Sequence, residues 1–458
     1  MSDIPSKNDV LDIIGIGLGP FNLSLAALLH PLVENKQLSA RFLECKDHFD
    51  WHPGLLLDGT TLQVPFMADL VTMADPTSPF SYLNYLHEQG RLYRFYFRED
   101  FLVPRKEYNF YCQWAAQKID YCQFSSAVHN VKWLQEKNFF EVIYHTSGQE
   151  KKLYAKHLVL GIGSSPSLPS AIKELAKVQP NKVFHSAQLL DRLNNIDTIN
   201  KKQHITVLGS GQSAAEAFQL VLEKQNDKGF SLDWFTRSSG FFPMEYSKLG
   251  LQHFTPDYIH YMRSLSQEKR DTLIPKQGLL YKGISAYTIA VIHDRLYEMT
   301  AGGNTPPVSL LANCDLIEAR PAGGQIALQF HHKEQDIYFE QSTDMIIAGT
   351  GYAASDSSFL KGISDGIYWD SKKRYQIDDH YCLSTKYQSQ HSQIFIQNGE
   401  LHTHGISAPD LGLGAHRAAT IINTLLGKEV YKTREKNSCL DFGVNPSRKI
   451  INKLQEAI

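Results

Sequence analysis

Short apolar runs, bounded by glycine and followed by helical periodicity, recur at Ile13–Ile16, Leu158–Ile162, Ile205–Leu208 and Met345–Ala348. Strands alternating with helices in this way predict an α/β fold built on doubly wound parallel sheets. A glycine-rich turn from strand to helix appears twice, near residues 15 and 209, so two Rossmann-like dinucleotide-binding domains are expected. The stretch from about Pro256 to Thr300, PDYIHYMRSL and later AYTIAVIHDRLYEM, adds a small, mainly helical lobe on the substrate side.

The first turn runs from Asp12 through Gly15, Gly17, Gly19 and Pro20 into an apolar helix. Glycines here let the backbone approach a pyrophosphate, and the helix N-terminus supplies N–H donors and a favourable dipole. Proline at position 20 displaces the third glycine of the usual GxGxxG pattern. Glu44 ends the next strand, a little over twenty residues on, where a carboxylate can accept hydrogen bonds from ribose hydroxyls; the plainer alternative is a surface glutamate.

The chain then reaches the segment Gly163–Pro169, whose two prolines and small residues mark a linker that neither continues a helix nor pairs in a sheet. A second crossing is expected near Gly349–Tyr352. The organisation read from these signals is a first part of one nucleotide domain at 1–168, an inserted nucleotide domain at 169–343 that carries the helical segment of about 255–300, and a return to the first domain at 344–458.

The second turn, Gly209, Ser210, Gly211, Gln212, Ser213 and Ala214, has the GxGxxA form after a strand and before a helix. The strand that follows ends in Arg237 rather than an acidic residue. A guanidinium there can pair with the 2'-phosphate of NADPH; otherwise it caps an exposed strand end. Two such turns fit FAD plus NADPH. A flavin disulfide reductase would also need a redox-active cysteine pair. The six cysteines, Cys45, Cys112, Cys122, Cys314, Cys382 and Cys439, contain no CxxC, which leaves hydride delivery to flavin followed by oxygen chemistry.

Composition excludes other classes. Lys+Arg 46 against Asp+Glu 48 gives a formal charge of -2, without the basic footprint of a nucleic-acid binder. The polar opening MSDIPSKND leads into LDIIGIG, too short for a signal segment or membrane span, so a cytoplasmic protein with no membrane partner is expected. Neither a disulfide framework nor a metal site is suggested; His402 and His404 lack further ligand spacing.

The chain resembles the N-hydroxylating flavoprotein monooxygenases of siderophore biosynthesis, which act on lysine, ornithine or related amines. The resemblance runs nearly end to end, on GLGPFNLS at 17–24, WHPG at 51–54, LQVPFMADLVT at 62–72, DPTSPF at 75–80 and YLNYL at 82–86. It continues through PRKEY at 104–108, SGFFP at 239–243, GTGY at 349–352 and THG at 403–405. Related flavin monooxygenases carry a fuller FxGxxxHxxxWP fingerprint, which only Phe184-His185-Ser186 resembles here, favouring the N-hydroxylase branch.

What the resemblance implies is specific. NADPH reduces FAD, oxygen adds to give a C4a-hydroperoxyflavin, and an amine lone pair attacks its distal oxygen. An alkyl ammonium with pKa about 10.4 must first lose its proton, at about 4 kcal/mol near neutral pH; a poorly solvated pocket lowers that cost. Gln63 lies beside flavin and substrate and is the residue assigned to catalysis, while Arg105 helps bind NADPH. Ser210, Gln212 and Ser213 line the nicotinamide nucleotide, and Trp51, His52, Thr350 and Tyr352 belong to the cofactor blocks. Thr403, His404 and Gly405 close over the isoalloxazine, although His404 reads equally well as a packing histidine satisfied by backbone. Family members are commonly tetramers, so a homo-oligomer is implied.

One departure speaks about substrate. Ornithine hydroxylases of the family read QxxFLKDL around Gln63, and the lysine recognises the backbone end of the amino acid. This chain has Ala68 there, and Leu280-Tyr281-Lys282 lacks the asparagines that assist. A buried carboxylate without its cation loses several kcal/mol, so a carboxylate-free amine is inferred: putrescine or cadaverine first, histamine next. Two alternatives stay open. Lys282 or Arg98 can replace the missing cation with lysine or ornithine as substrate, or the flavoprotein can be a non-hydroxylating NADPH oxidase. Tyr82, Tyr85, Phe66 and Met67 suit a methylene chain and serve equally as core.

Overall fold

The computed structural model describes residues 9–387, 392–434, 436–445 and 448. Its first sheet has seven strands around Val10–Ile16, which pairs in parallel with Ala40–Leu43 on one side and Gln149–Leu160 on the other. Cys122–Gln123 extends one edge, and Ile394–Ile396 returns to lie parallel to the end of Gln149–Leu160. The outer strands Phe139–Thr146 and Ala127–Leu134 are antiparallel. They were not anticipated from the parallel-sheet pattern.

Both faces of this sheet are covered, which is why its central strands are continuous apolar runs rather than alternating ones. Ile14, Ile16, Leu158 and Leu160 pack beneath it against Phe140 and Leu360, while Ile13, Phe42 and Val159 meet the helix Pro20–Glu34. That helix is buried along most of its length, including Asn22 and Ser24, as expected of a helix apolar on all sides.

The second sheet is all parallel, in the order Val183–His185, Met345–Ala348, His204–Leu208, Ser231–Phe235, Val308–Leu311. Met345–Ala348 sits between two strands of this sheet, so the inserted domain extends past the expected boundary at 343. Pairing on both sides fixes it there. A three-stranded antiparallel meander, Cys314–Ala322, Gln325–His332 and Ile337–Thr343, precedes it.

The crossing between domains also differs from expectation in one respect. Ser164–Pro166, read as an unpaired linker, pairs antiparallel with Tyr352–Ala354. An isolated two-stranded ribbon has only edges, and edges tolerate proline. Both chain crossings therefore run side by side as one hinge-like ribbon.

The helical segment divides between two supports. Pro256–Ser264 and Gln267–Lys276 pack near Leu401–His404, with Tyr258, Met262 and Ile406 in one apolar cluster. Ala286–Met299 instead lays Ile289, Ile292, Leu296 and Met299 on the core of the second domain. Among the described residues no helix is long and apolar enough to cross a membrane.

Candidate functional site

The first turn leaves the strand at Ile16 and enters the helix at Pro20. Gly17 has φ +82, and a Cβ there would fall 2.6 Å from the Gly161 carbonyl oxygen, so only glycine permits this close passage of two strands. Gly19 caps the helix without a side-chain hydrogen bond, and a Cβ on it would meet nothing within 4 Å. The N-terminal N–H groups therefore face open space. Beside them, the buried Glu44 carboxylate accepts from the Leu18 N–H at 2.7 Å and the Lys46 N–H at 3.0 Å. A Cβ on Gly15 would collide with the Phe42 ring, so strand packing alone already requires glycine there.

A residue from the far end of the chain completes the turn. Asn22 donates to the Gly17 carbonyl oxygen at 2.6 Å, and Gln397 donates to the Asn22 side-chain oxygen at 2.7 Å. The Gln397 side-chain oxygen is buried without a partner. Nothing in local sequence around Gln397 signalled this contact.

The second turn repeats the first. Gly209 has φ +125 with a Cβ position 2.2 Å from the Gly349 carbonyl oxygen, and Gly211 caps the helix Gln212–Lys228 without a side-chain bond. Ser210 shares a hydrogen bond with Ser238 at 2.8 Å. Arg237 is exposed at the strand end, its carbonyl held by Lys333 at 2.6 Å.

A polar network joins the two domains. Gln63, on Thr61–Pro65, donates to the Gln212 side-chain oxygen at 3.2 Å, and that same oxygen accepts the Ser285 N–H. Gln212 in turn donates to Glu216 at 2.9 Å and to Thr288 at 3.0 Å. Arg105 grips Glu216 through two bonds of 2.7 and 2.9 Å and donates also to the Leu55 carbonyl oxygen. Its side chain is 11% exposed and that of Glu216 5%. The resemblance gives Arg105 a part in binding NADPH; in the structure its guanidinium also joins the two domains through Glu216. Glu216 stands four positions after Gln212 on one helix face, a relation that sequence reading did not single out.

Above this network sits an aromatic group. Trp51, His52, Tyr352 and His185 follow one another at ring separations of 5.0, 5.2 and 5.3 Å, and His52 Nδ1 lies 3.2 Å from the Tyr352 hydroxyl. Burial, helped by the Arg105 charge, pushes the His52 pKa down to about 4, and burial raises Tyr352 to about 12. Both rings are neutral at physiological pH. Thr350 donates to the Ser167 carbonyl oxygen at 2.6 Å, tying the two chain crossings together.

The C-terminal segment is dense with buried polar groups. His404 is fully buried, stacked on Tyr381 at 4.5 Å, with Nδ1 2.8 Å from the Thr403 hydroxyl and Nε2 without a partner. Burial holds its pKa well below the usual histidine range. Glu400 and Arg417, both buried, pair at 3.0 Å, and Arg417 lies over the Phe21 ring at 4.6 Å. His402 bonds the Tyr375 carbonyl oxygen.

Of the substrate-side candidates, Ala68 is buried and lies beside Gly412. Leu280 packs against the Tyr258–Met262–Ile406 cluster, and Lys282 is exposed with its ammonium 4.9 Å from the Tyr281 ring. Arg98 pairs with Asp100 at 3.1 Å. Tyr82 and Tyr85 are core residues, whereas Phe66 is half-buried and Met67 exposed. Sequence reasoning missed Tyr246, whose hydroxyl donates to the Gln63 carbonyl oxygen, and Asp410.

Two glycine-walled helix N-termini, each entered from a parallel-paired strand of a separate sheet, define an oxidoreductase with two nucleotide sites. The chain belongs to the L-lysine 6-monooxygenase/L-ornithine 5-monooxygenase family, whose model matches residues 9–354. A putrescine N-hydroxylase of Shewanella oneidensis is 43% identical over 92% of this chain and 82% of its own. The FAD-bound crystal structure of the desferrioxamine-pathway cadaverine monooxygenase of Erwinia amylovora is 39% identical, covers 95% of this chain and 99% of its own, and has a TM-score of 0.89. An ornithine N-hydroxylase of Kutzneria, solved with reduced FAD, NADP+ and ornithine, follows at 25% identity and a TM-score of 0.83, over 91% and 99% of the two chains.

Proposed function

We propose that this chain is an FAD- and NADPH-dependent N-hydroxylase of a small diamine, putrescine or cadaverine, acting in siderophore biosynthesis. The observation that carries the reaction class is the hydrogen bond between Gln63 and Gln212, which brings the Thr61–Pro65 strand of the first domain against the second nucleotide turn. Family membership and the substrates named for two of the relatives support the diamine.

The residues fit both cofactors. An FAD pyrophosphate suits the uncapped N-terminus at Gly19 and Pro20, with Glu44 accepting ribose hydroxyls and the unpartnered Gln397 oxygen available to a donor. NADPH suits the second turn, with Ser210, Gly211 and Ser213 around its phosphates and Arg237 free to meet the 2'-phosphate. Bound FAD, once reduced by NADPH, supplies the oxygen-activating chemistry. The protein binds, orients and excludes water: Gln63 and Gln212 position groups at the cleft, the neutral His52 and Tyr352 wall it, and Thr403 and His404 close it. No side chain is assigned as general base.

Substrate selection rests on Ala68. Arg98 is paired with Asp100 and Lys282 lies exposed beside the Tyr281 ring, while the methyl of Ala68 itself offers no cation to a substrate carboxylate. The test is hydroxylamine formation, with NADPH and oxygen consumption followed together, from putrescine, cadaverine, histamine, lysine and ornithine. Coupled product from the diamines is expected. Product from lysine or ornithine alone would refute the substrate, and peroxide without hydroxylamine from all five would refute the reaction class.

A further inference from the structure

Asp410 lies between the Thr403–Gly405 segment and the helix Gly414–Leu426. Its Oδ1 accepts the Gly412 N–H at 2.8 Å and so caps the turn Leu411–Leu413. The capping task uses one oxygen. Among the described residues Asp410 has no ion pair with any lysine, arginine or histidine, in contrast to the paired Glu400, Glu216, Asp271 and Asp370.

Its surroundings are those of a cleft wall. The side chain keeps part of its surface accessible although protein atoms crowd it, and burial lifts its carboxyl to about 6, an effect that the Gly412 N–H and the Arg417 charge only partly oppose. Ala68 and the Asp410 oxygen flank the same point: a Cβ built on Gly412 would lie 2.9 Å from Oδ1 and 3.8 Å from the Ala68 Cβ. Across from them stands Tyr246, whose ionisation the Asp410 charge opposes and whose hydroxyl reaches the Gln63 backbone. The carboxylate, the apolar methyl of Ala68 and the strand that carries Gln63 thus share one end of the cleft.

We propose that Asp410 is the specificity-determining residue that receives the far ammonium group of the diamine, while the near amine is left free to be presented for hydroxylation. The inference rests on the diamine reading above. A carboxylate in a poorly solvated place without a cation is costly, and an incoming alkyl ammonium supplies the missing charge with a charge-assisted hydrogen bond. Ala68 keeps the space beside it uncharged and short. An amino-acid substrate places a carboxylate at the same end as its second amine, and that carboxylate would be repelled here.

The test compares a diamine with the monoamine of the same chain length, cadaverine against 1-aminopentane, in the FAD-loaded enzyme and in Asp410→Asn and Asp410→Ser. Both substitutions retain an oxygen that caps the Gly412 N–H, and bound FAD per chain checks folding. The expected result is a KM for cadaverine raised about 10- to 100-fold and a diamine-to-monoamine ratio of kcat/KM that collapses toward one. Equal losses for both amines would mean a structural role and overturn the proposal. So would the same collapse in Glu245→Gln, the exposed carboxylate next to Tyr246, with Asp410→Asn unaffected. Wild-type enzyme that hydroxylates neither diamine would refute the parent reading, and this inference falls with it.

Discussion

Removing one partner of the Arg105–Glu216 pair should loosen the grip between the two domains. Arg105 begins the helix Arg105–Lys118 of the first domain, and Glu216 lies on Gln212–Lys228 of the second. With side chains 11% and 5% exposed, the pair is shielded from solvent, so a single substitution strands a buried charge at about 3–5 kcal/mol. Unfolding entropy of about 2.1 cal/mol/K per residue over 458 residues makes one degree of melting temperature worth about 1 kcal/mol. Arg105→Met and Glu216→Leu should therefore each lower the flavin-fluorescence melting temperature by about 3–5 °C. The double variant should lose clearly less than the sum, because it strands neither charge. Gln212 also donates to Glu216, so Glu216→Leu should in addition slow flavin reduction by NADPH. Additive losses across the cycle would show that the pair is not coupled and that the domains are held together elsewhere.

Arg237→Ala should raise the KM for NADPH about 10- to 100-fold while leaving NADH nearly unaffected, read by stopped-flow flavin reduction; equal effects on both would return Arg237 to a surface role. Gly209→Ala should retain bound FAD yet lose reduction by NADPH, since φ +125 and the 2.2 Å approach to Gly349 leave no room for a methyl. His52 makes the protein acid-sensitive. Its folded pKa of about 4 lies below the ordinary 6.5, so the unfolded chain binds more protons between those values. The stability it contributes, up to roughly 3 kcal/mol, is present above pH 6.5 and is lost as pH falls toward 4. His52→Asn, which tolerates the left-handed backbone at φ 50, should flatten the acid limb of melting temperature against pH; an unchanged slope would assign that limb to His404 and His416, whose pKa values burial also lowers.

The two nucleotide turns were legible because their requirements are local. A glycine at Gly17 or Gly209 is demanded by backbone passing backbone a few ångströms away, and the strand before and helix after announce themselves by periodicity. The antiparallel strands 127–146 and the meander 314–343 were not, since their half-buried alternation is broken by bulges near His129 and Ile317. Met345–Ala348 was found as a strand but given to the wrong domain. Its four apolar residues suit either sheet, and only pairing with Ile205–Leu208 decides. The ion pair of Arg105 with Glu216 was not legible either, for the acid lies 111 residues away.

The groups that sequence reading missed share a physical cause. Gln397, Glu400 and Asp410 are polar residues whose meaning comes from what the last part of the chain packs against. Gln397 reaches Asn22 and the Phe21 carbonyl oxygen across 375 and 376 residues. Arg417 lies over Phe21 and Tyr381 while pairing with Glu400. These contacts hold the start of the Pro20–Glu34 helix from the outside. The mouth of the first nucleotide turn is thereby built from both ends of the chain. The same segment carries His404 and Asp410, so the elements that would close over a flavin and meet a substrate are braced by the helix that would bind the flavin's phosphates. A buried charge pair is a costly way to make such a joint if stability were its only use. It is better suited to fixing one orientation, because Arg417 at once pairs with Glu400, donates to the Ala408 carbonyl oxygen and lies over two aromatic rings.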